Sequence, residues 1–315
     1  MIDLDAVTRA HRALPIGVRD TPQYWEPQLS SALGRDVAVK LECFNPVRSF
    51  KARGAHAFLA SVPDGTRVVC ASAGNFGQGV AWAAQDRDVE VTVYAATTAS
   101  PNKLDRMREL GAKLEVVGED YDAAKDVARA AVADDPAAVW VEDGADDEVT
   151  VGAATVGLEL TALDPEVVLV PVGNGALIIG VASWLAAYAP RTRVIGVCAA
   201  GAPAMLHSWQ RGTVVNYPRI DTFAEGVGVR APIPAAVAAT RQLVHDMIAV
   251  EDDAILEAMR CLHDTVGVLV EPAAALGIAA LLASGTDPVP DGQVATIITG
   301  ANYTAAHRAA IDRLV

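Results

Sequence analysis

Short β-branched runs alternate with longer alanine- and leucine-rich stretches through most of this chain, and that alternation limits the fold more than any other feature. Runs of strand character occupy residues 37–43, 67–71, 90–95, 113–117, 138–142, 167–172, 193–197 and 293–298. Between them, stretches such as 101–110 and 121–133 carry apolar residues at helical spacing. Ser100 and Pro101 read as an N-cap followed by proline at the first helical position, and Gly111 as the residue that stops the same helix. Alternation of this kind predicts an α/β protein whose parallel sheets are covered by helices on both faces. At 315 residues the chain is long enough for one large domain or two closely packed ones with a sizeable core. Its apolar share is 52% but its aromatic share only 5%; much of the apolar content is alanine, which suits helices packed closely on a sheet. The one Pro- and Gly-rich stretch, 285–292, reads as a surface loop before the last strand, so no linker marks a domain boundary.

Lysine and arginine number 25 against 39 acidic residues, a net charge of −14. That balance argues against a nucleic-acid or anionic-membrane partner, either of which needs a basic face. Cys43, Cys70, Cys198 and Cys261 are far apart, with no C-x-x-C pair, and read as reduced, buried thiols. Residues 1–15 hold two acids and lack the apolar core of a signal peptide, and no apolar run approaches a bilayer span. A cytoplasmic protein without a membrane partner is the expectation.

Four segments at strand-to-helix junctions carry the residues suited to chemistry. The first runs Asn45-Pro46-Val47-Arg48-Ser49-Phe50-Lys51-Ala52-Arg53-Gly54-Ala55. A lysine opening a helix sets a cation against the positive end of the helix dipole, which favours the neutral amine that a Schiff-base lysine requires. An ordinary exposed lysine fits the same pattern. The second segment, Ala71-Ser72-Ala73-Gly74-Asn75-Phe76-Gly77-Gln78-Gly79, is a small, Gly-rich turn into a helix, whose free N–H groups suit a carboxylate or a phosphate. The third, Pro171-Val172-Gly173-Asn174-Gly175-Ala176-Leu177-Ile178-Ile179-Gly180, is of the same kind. The fourth, Thr296-Ile297-Ile298-Thr299-Gly300-Ala301-Asn302, ends the last strand on a small hydroxyl residue.

The third segment invites comparison with a dinucleotide-binding turn. However, Ile178 stands where a third glycine or alanine belongs, and strand 193–197 is not followed by the acid that holds a ribose. No H-E-x-x-H, G-x-S-x-G, Walker lysine or spaced His/Cys cluster occurs, so no metal site is expected. The six scattered histidines read as surface or packing residues.

Taken together, in this order and spacing, SFKARGA (49–55), SAGNFGQGVA (72–81), GNGALIIG (173–180) and TGAN (299–302) resemble the fold-type II pyridoxal 5′-phosphate (PLP) enzymes, in particular the threonine/serine dehydratases. Thr21-Pro22, Val39-Lys40-Leu41-Glu42, Phe223-Ala224-Glu225-Gly226-Val227 and Val270-Glu271-Pro272-Ala273 also fit, so the likeness runs nearly end to end. It implies the tryptophan synthase β-like architecture: two parallel-sheet α/β domains with the cofactor in the cleft between them. The small domain, residues 42–145, is inserted into a large one of 1–41 plus 146–315.

The resemblance also implies roles. Lys51 holds the cofactor and shuttles the Cα proton, Phe50 packs on the cofactor ring, and Asn75 bonds the ring hydroxyl. Gly173, Asn174, Gly175, Ala176 and Leu177 surround the phosphate, while Ser72, Ala73, Gly74 and Asn75 grip the substrate carboxylate. Thr299 faces the pyridine nitrogen. A hydroxyl cannot protonate that nitrogen as a carboxylate would, so the ring is a weaker electron sink. That favours loss of a β-leaving group over transamination.

Several positions depart from the family pattern. Val47-Arg48 replaces the usual Thr-Gly, and the Arg48 fork suits a second acid group on the substrate. Phe76 replaces the usual His, and Thr299 the commoner Ser. Ala73 stands where serine racemases of the family place an acid/base serine, which disfavours racemisation. Residues 199–204, Ala-Ala-Gly-Ala-Pro-Ala, offer no carboxylate where those relatives bind a divalent ion, leaving only carbonyls for a monovalent one.

The expected reaction is α,β-elimination from L-threonine, L-serine or a related β-hydroxy amino acid, giving a 2-oxo acid and ammonia. The alternative is a β- or γ-replacement synthase, threonine synthase-like or cysteine synthase-like, which turns over only when a nucleophile or a phosphorylated substrate is supplied. The resemblance further implies a homodimer acting on a small amino acid. With no extension after the last motif, control by an end-product regulatory domain is not expected.

Overall fold

The computed structural model describes residues 2–283 and 289–313, so the predicted loop 285–292 falls partly outside the described residues. The strands are β1 (Gln23–Trp25), β2 (Val37–Leu41), β3 (Thr66–Ala71), β4 (Val89–Ala95), β5 (Lys113–Val116), β6 (Ala138–Trp140), β7 (Val167–Pro171), β8 (Arg193–Ala199), β9 (Asp246–Val250) and β10 (Val294–Ile298). They form a six-stranded sheet in the order β1-β2-β10-β7-β8-β9 and a four-stranded sheet in the order β5-β4-β3-β6. Only β1 runs antiparallel to its neighbour; every other pairing is parallel. All eight runs read from the sequence form strands. The two unforeseen strands, β1 and β9, are the edges of the larger sheet, where a short or half-exposed strand leaves little apolar pattern.

Burial on both faces explains the apolar runs. In β7, Val167 and Leu169 enter one core while Val168 and Val170 enter the other. β10 likewise divides Val294 and Ile298 from Ala295 and Ile297. A third core surrounds the four-stranded sheet, where Val68, Cys70, Val91 and Val93 meet Leu59, Phe76 and Met107. Cys43, Cys70 and Cys198 are buried and Cys261 half-buried, all unpaired. Burial pushes the first three thiols up to about 12, which keeps them inert.

The helix read at 101–110 spans Pro101–Glu109, with Ser100 at the N-cap and proline in the first turn, although the Ser100 side chain makes no capping bond. Gly111 follows at φ 96°. Helix Lys51–Ser61 crosses helix Asp147–Leu160 so closely that a Cβ on Gly152 would lie 2.3 Å from the Arg53 carbonyl oxygen. It also meets helix Asn75–Ala83 at Gly79, where a Cβ would lie 3.0 Å from the Lys51 carbonyl oxygen. Gly152 and the second motif's Gly79 thus dock the backbone around Lys51.

Candidate active site

Each sheet has a point where the chain departs to opposite sides, and a parallel sheet opens a crevice outside the carboxyl ends of the strands there. In the larger sheet the crevice lies between β7 and β10, which lead into Gly173 and Thr299. In the smaller it lies between β3 and β6, which lead into Ser72 and toward Asp143. All four exits line one cavity of about 560 Å³.

Lys51 is the first residue of its helix, as the sequence predicts, with Phe50 at the N-cap. The backbone beside it is fixed from the other end of the chain: Phe50 N–H donates to the Thr299 carbonyl oxygen at 3.0 Å, and Ser49 bridges to Gly300. Lys51 Nζ sits 4.4 Å from the centroid of the Phe50 ring and donates to Asp143 Oδ2 at 2.5 Å. Both side chains line the cavity.

The second motif forms a turn whose free amides suit an anion, with a refinement that its sequence does not reveal. Ser72 Oγ accepts from Gly74 N–H at 3.1 Å and from Gly77 N–H at 3.0 Å. Gly74 N–H is therefore engaged within the turn. Among the described residues the N–H groups of Ala73, Asn75 and Phe76 have no protein acceptor and remain for a ligand.

Asn75 is held in place by two partners from distant motifs. Its Nδ2 donates to Glu271 Oε1 at 2.7 Å, and its Oδ1 accepts from Asn302 Nδ2 at 2.8 Å. Glu271 Oε2 accepts from Asn302 N–H at 3.2 Å, closing a ring of bonds. Burial raises the Glu271 carboxyl above its usual value, against the Asn75 hydrogen bond and the charge of Lys103. Glu271 of VEPA and Asn302 of TGAN therefore fix the Asn75 side chain.

The third motif leads into helix Ala176–Tyr188, with Gly175 at φ 102° as its N-cap. Among the described residues, the N–H groups of Gly173, Asn174, Gly175, Ala176, Leu177 and Ile178 find no protein acceptor. Orphan amides at a helix N-terminus are what a phosphate needs. Thr299, 4% exposed, lines the same cavity. A lysine at the start of a helix, an orphan-amide cradle and a buried hydroxyl around one cavity fit PLP.

The residues expected at the site come together, with one exception. Arg48 is exposed, at φ 56°, with its guanidinium 5.8 Å from the centroid of the Tyr303 ring, and it is not among the residues lining the cavity. Among the lining residues outside the motifs, two stand near Lys51. Tyr121 opens helix Tyr121–Ala133, and burial with the nearby Glu142 and Asp143 charges pushes its phenol above its usual value. Asp143 is the other; the only local hint of it is an acid followed by glycine just beyond a strand.

Comparison with known proteins agrees with this geometry. Residues 14–300 match the family described as "Pyridoxal-phosphate dependent enzyme". The "L-threonine ammonia-lyase" of Thermotoga maritima is 34% identical over 320 residues, covering 100% of this chain and 78% of that protein. The "L-threonine dehydratase biosynthetic IlvA" of Mycobacterium leprae is 36% identical over 315 residues, covering 96% and 72%. The solved processed form of threonine deaminase isoform 2 from Solanum lycopersicum superposes with a TM-score of 0.90 at 30% identity, over 99% of this chain and 93% of that one. The chain belongs to the pyridoxal-phosphate dependent enzyme family.

Proposed function

We infer that this chain catalyses PLP-dependent α,β-elimination on L-threonine, L-serine or a close β-hydroxy relative, releasing a 2-oxo acid and ammonia. The observation that carries the reading is the convergence of Lys51, the free amides of Ala73, Asn75 and Phe76, and the orphan-amide loop 173–178 on one cavity. When bound, PLP supplies an electron sink that makes the Cα proton of an attached amino acid acidic. Lys51 Nζ takes that proton and returns one to the departing hydroxyl. The three free amides, with the Ser72 hydroxyl proton, bind and orient the substrate carboxylate. Asn75, locked by Glu271 and Asn302, presents its amide to the ring hydroxyl, and Phe50 packs on the ring. Thr299 offers the ring nitrogen an uncharged hydroxyl. The amides of Gly173, Asn174, Gly175, Ala176 and Leu177 hold the phosphate.

The same reading takes residues 42–145 as a unit inserted into the remainder, supported by a four-stranded sheet built only from strands between Thr66 and Trp140. It also takes the protein as a cytoplasmic homodimer. Ile16 and Phe44 are exposed apolar side chains on loops that meet at Gly17 and Pro46, of the kind a subunit contact covers. No helix among the described residues is long and apolar enough to cross a membrane.

The test is a 2-oxo acid and ammonia assay on PLP-loaded protein against L-threonine, L-serine and 3-hydroxyaspartate. Equal amounts of both products, abolished in Lys51→Ala, are expected. If no oxo acid forms but product appears once a thiol is added, the protein is a replacement synthase instead.

A further inference from the structure

Lys51 Nζ has one hydrogen-bond partner among the described residues, Asp143, and that carboxylate is placed with care. It follows β6, which lies beside β3, and Val141 N–H extends the ladder by donating to the Val69 carbonyl oxygen at 3.0 Å. Glu142 N–H is clamped by Asp146 Oδ2 at 2.6 Å, and Ala145 N–H closes the turn on the Glu142 carbonyl oxygen at 3.1 Å. Gly144, at φ 88°, is pressed against the phosphate loop: a Cβ there would lie 2.7 Å from both the Cβ and the carbonyl oxygen of Asn174.

The pair makes a poor structural ion bridge. A buried bridge repays desolvation only when its remaining lone pairs are satisfied, yet Asp143 Oδ1 is buried with no partner. A half-satisfied carboxylate at the reacting amine marks function rather than stability. We propose that Asp143 is a second catalytic residue of this cleft, the carboxylate that exchanges a proton with Lys51 Nζ and so sets the pH range in which the amine is free to react.

The proposal rests on the cofactor assignment, not on which amino acid is consumed. The ammonium of Lys51 gives one proton to the carboxylate. With PLP bound, the neutral amine would be the group that condenses with its aldehyde, the aldehyde oxygen leaving as water with the two remaining amine hydrogens. Other titratable groups around the pair are Tyr121, Lys125 and Glu142 on the Asp143 side, and Glu271 and Lys103 across the cleft. Tyr121, pushed above its usual value, stays neutral, which leaves Glu271 as the rival.

The experiment follows cofactor uptake, which requires no turnover. Full-length protein stripped of PLP is mixed with PLP across a pH series, and the visible band of the lysine linkage is recorded. A carboxylate beside the amine favours the unreactive ammonium, so Asp143→Asn should move the uptake midpoint down by about 1–3 pH units. Asp143→Glu should restore a midpoint near that of the parent protein. Should Asp143→Asn not yield folded protein, Asp143→Ser removes the same charge and is read in the same way. A midpoint unmoved without the Asp143 charge, or moved equally by Glu271→Gln, would overturn the proposal. A charge that only holds the ammonium would, once removed, speed uptake below the parent midpoint, whereas losing the proton acceptor slows its absolute rate even as the midpoint moves. Faster uptake there would also overturn the proposal. If no linkage band forms in the parent protein at any pH, the cofactor reading itself fails.

Discussion

Arg53 grips Glu42 through N–H···O bonds of 2.7 and 2.8 Å, with neither side chain exposed, two residues along the helix from Lys51. The same guanidinium donates to Glu159 at 2.6 and 2.8 Å and to Thr155 at 2.9 Å, and Lys40 completes the cluster on Glu159 and the Thr21 carbonyl oxygen. Two cations and two carboxylates thus join β2, the helix of Lys51 and helix Asp147–Leu160. Arg53→Ala leaves two buried carboxylates with one cation, which costs about 3–5 kcal/mol. Arg53→Lys keeps the charge but not the fork, and should lose much of the same stability. Denaturant unfolding reads both; an Arg53→Ala protein as stable as its parent would show that the cluster contributes nothing.

The cluster also fixes how the protein responds to acid. Burial pushes the Glu159 carboxyl up, but the hydrogen bonds and charges of Arg53 and Lys40 prevail and hold it at about 2, against an ordinary 4.5. A carboxyl lower in the folded than in the unfolded chain stabilises the fold fully above its unfolded value. That contribution is lost as pH falls from about 4.5 to about 2, and is on the order of 3 kcal/mol. Unfolding free energy measured against pH should fall across that window in the parent protein. Glu159→Gln should be less stable at neutral pH and flatter on the acid side; an equally steep acid limb would assign the loss to other carboxylates.

What the sequence makes legible is what local backbone chemistry writes into it. Lys51, the turns after Ala71 and Val172, and Thr299 all stand where a strand gives way to a new segment, and each is marked by its own neighbours. Asp143 is not so marked, because its place depends on β6 lying beside β3, a pairing between residues about seventy apart in the chain. Glu271 and Asn302 are visible as motif letters, but that both serve to hold Asn75 appears only once three distant loops meet. Arg48 shows the limit from the other side. Its residue type suits a carboxylate, yet a left-handed backbone and the Tyr303 ring decide where its guanidinium lies.

Gly144 tests whether the turn carrying Asp143 and the phosphate loop are mechanically joined. Its φ of 88° disfavours any side chain, and a Cβ would meet the Asn174 backbone at 2.7 Å. Gly144→Ala must displace Asp143, the loop at Asn174, or both. The expected result is a loss of about 1–3 kcal/mol in stability, together with weaker PLP binding measured by equilibrium titration. Stability lost with cofactor affinity intact would mean that the strain relaxes away from the phosphate loop.

Arg48 provides the sharpest test of substrate range. Its side chain is exposed and stacked toward Tyr303, while its backbone does the work: its carbonyl oxygen accepts from Ala301 N–H at 2.9 Å and its N–H donates to the Asn45 carbonyl oxygen at 2.9 Å. A non-glycine residue at φ 56° is strained by roughly 1–2 kcal/mol, and glycine relieves that strain at an entropic cost of similar size. Arg48→Gly is therefore expected to change stability by less than about 1 kcal/mol and to keep both backbone bonds. Because the guanidinium lies outside the cavity lining, the ratio of kcat/KM for 3-hydroxyaspartate to that for threonine should stay within about twofold, below 0.5 kcal/mol of discrimination. A selective collapse of activity on the diacid would place Arg48 over the substrate in the closed enzyme, and the cleft would then have to close by bringing that guanidinium inward.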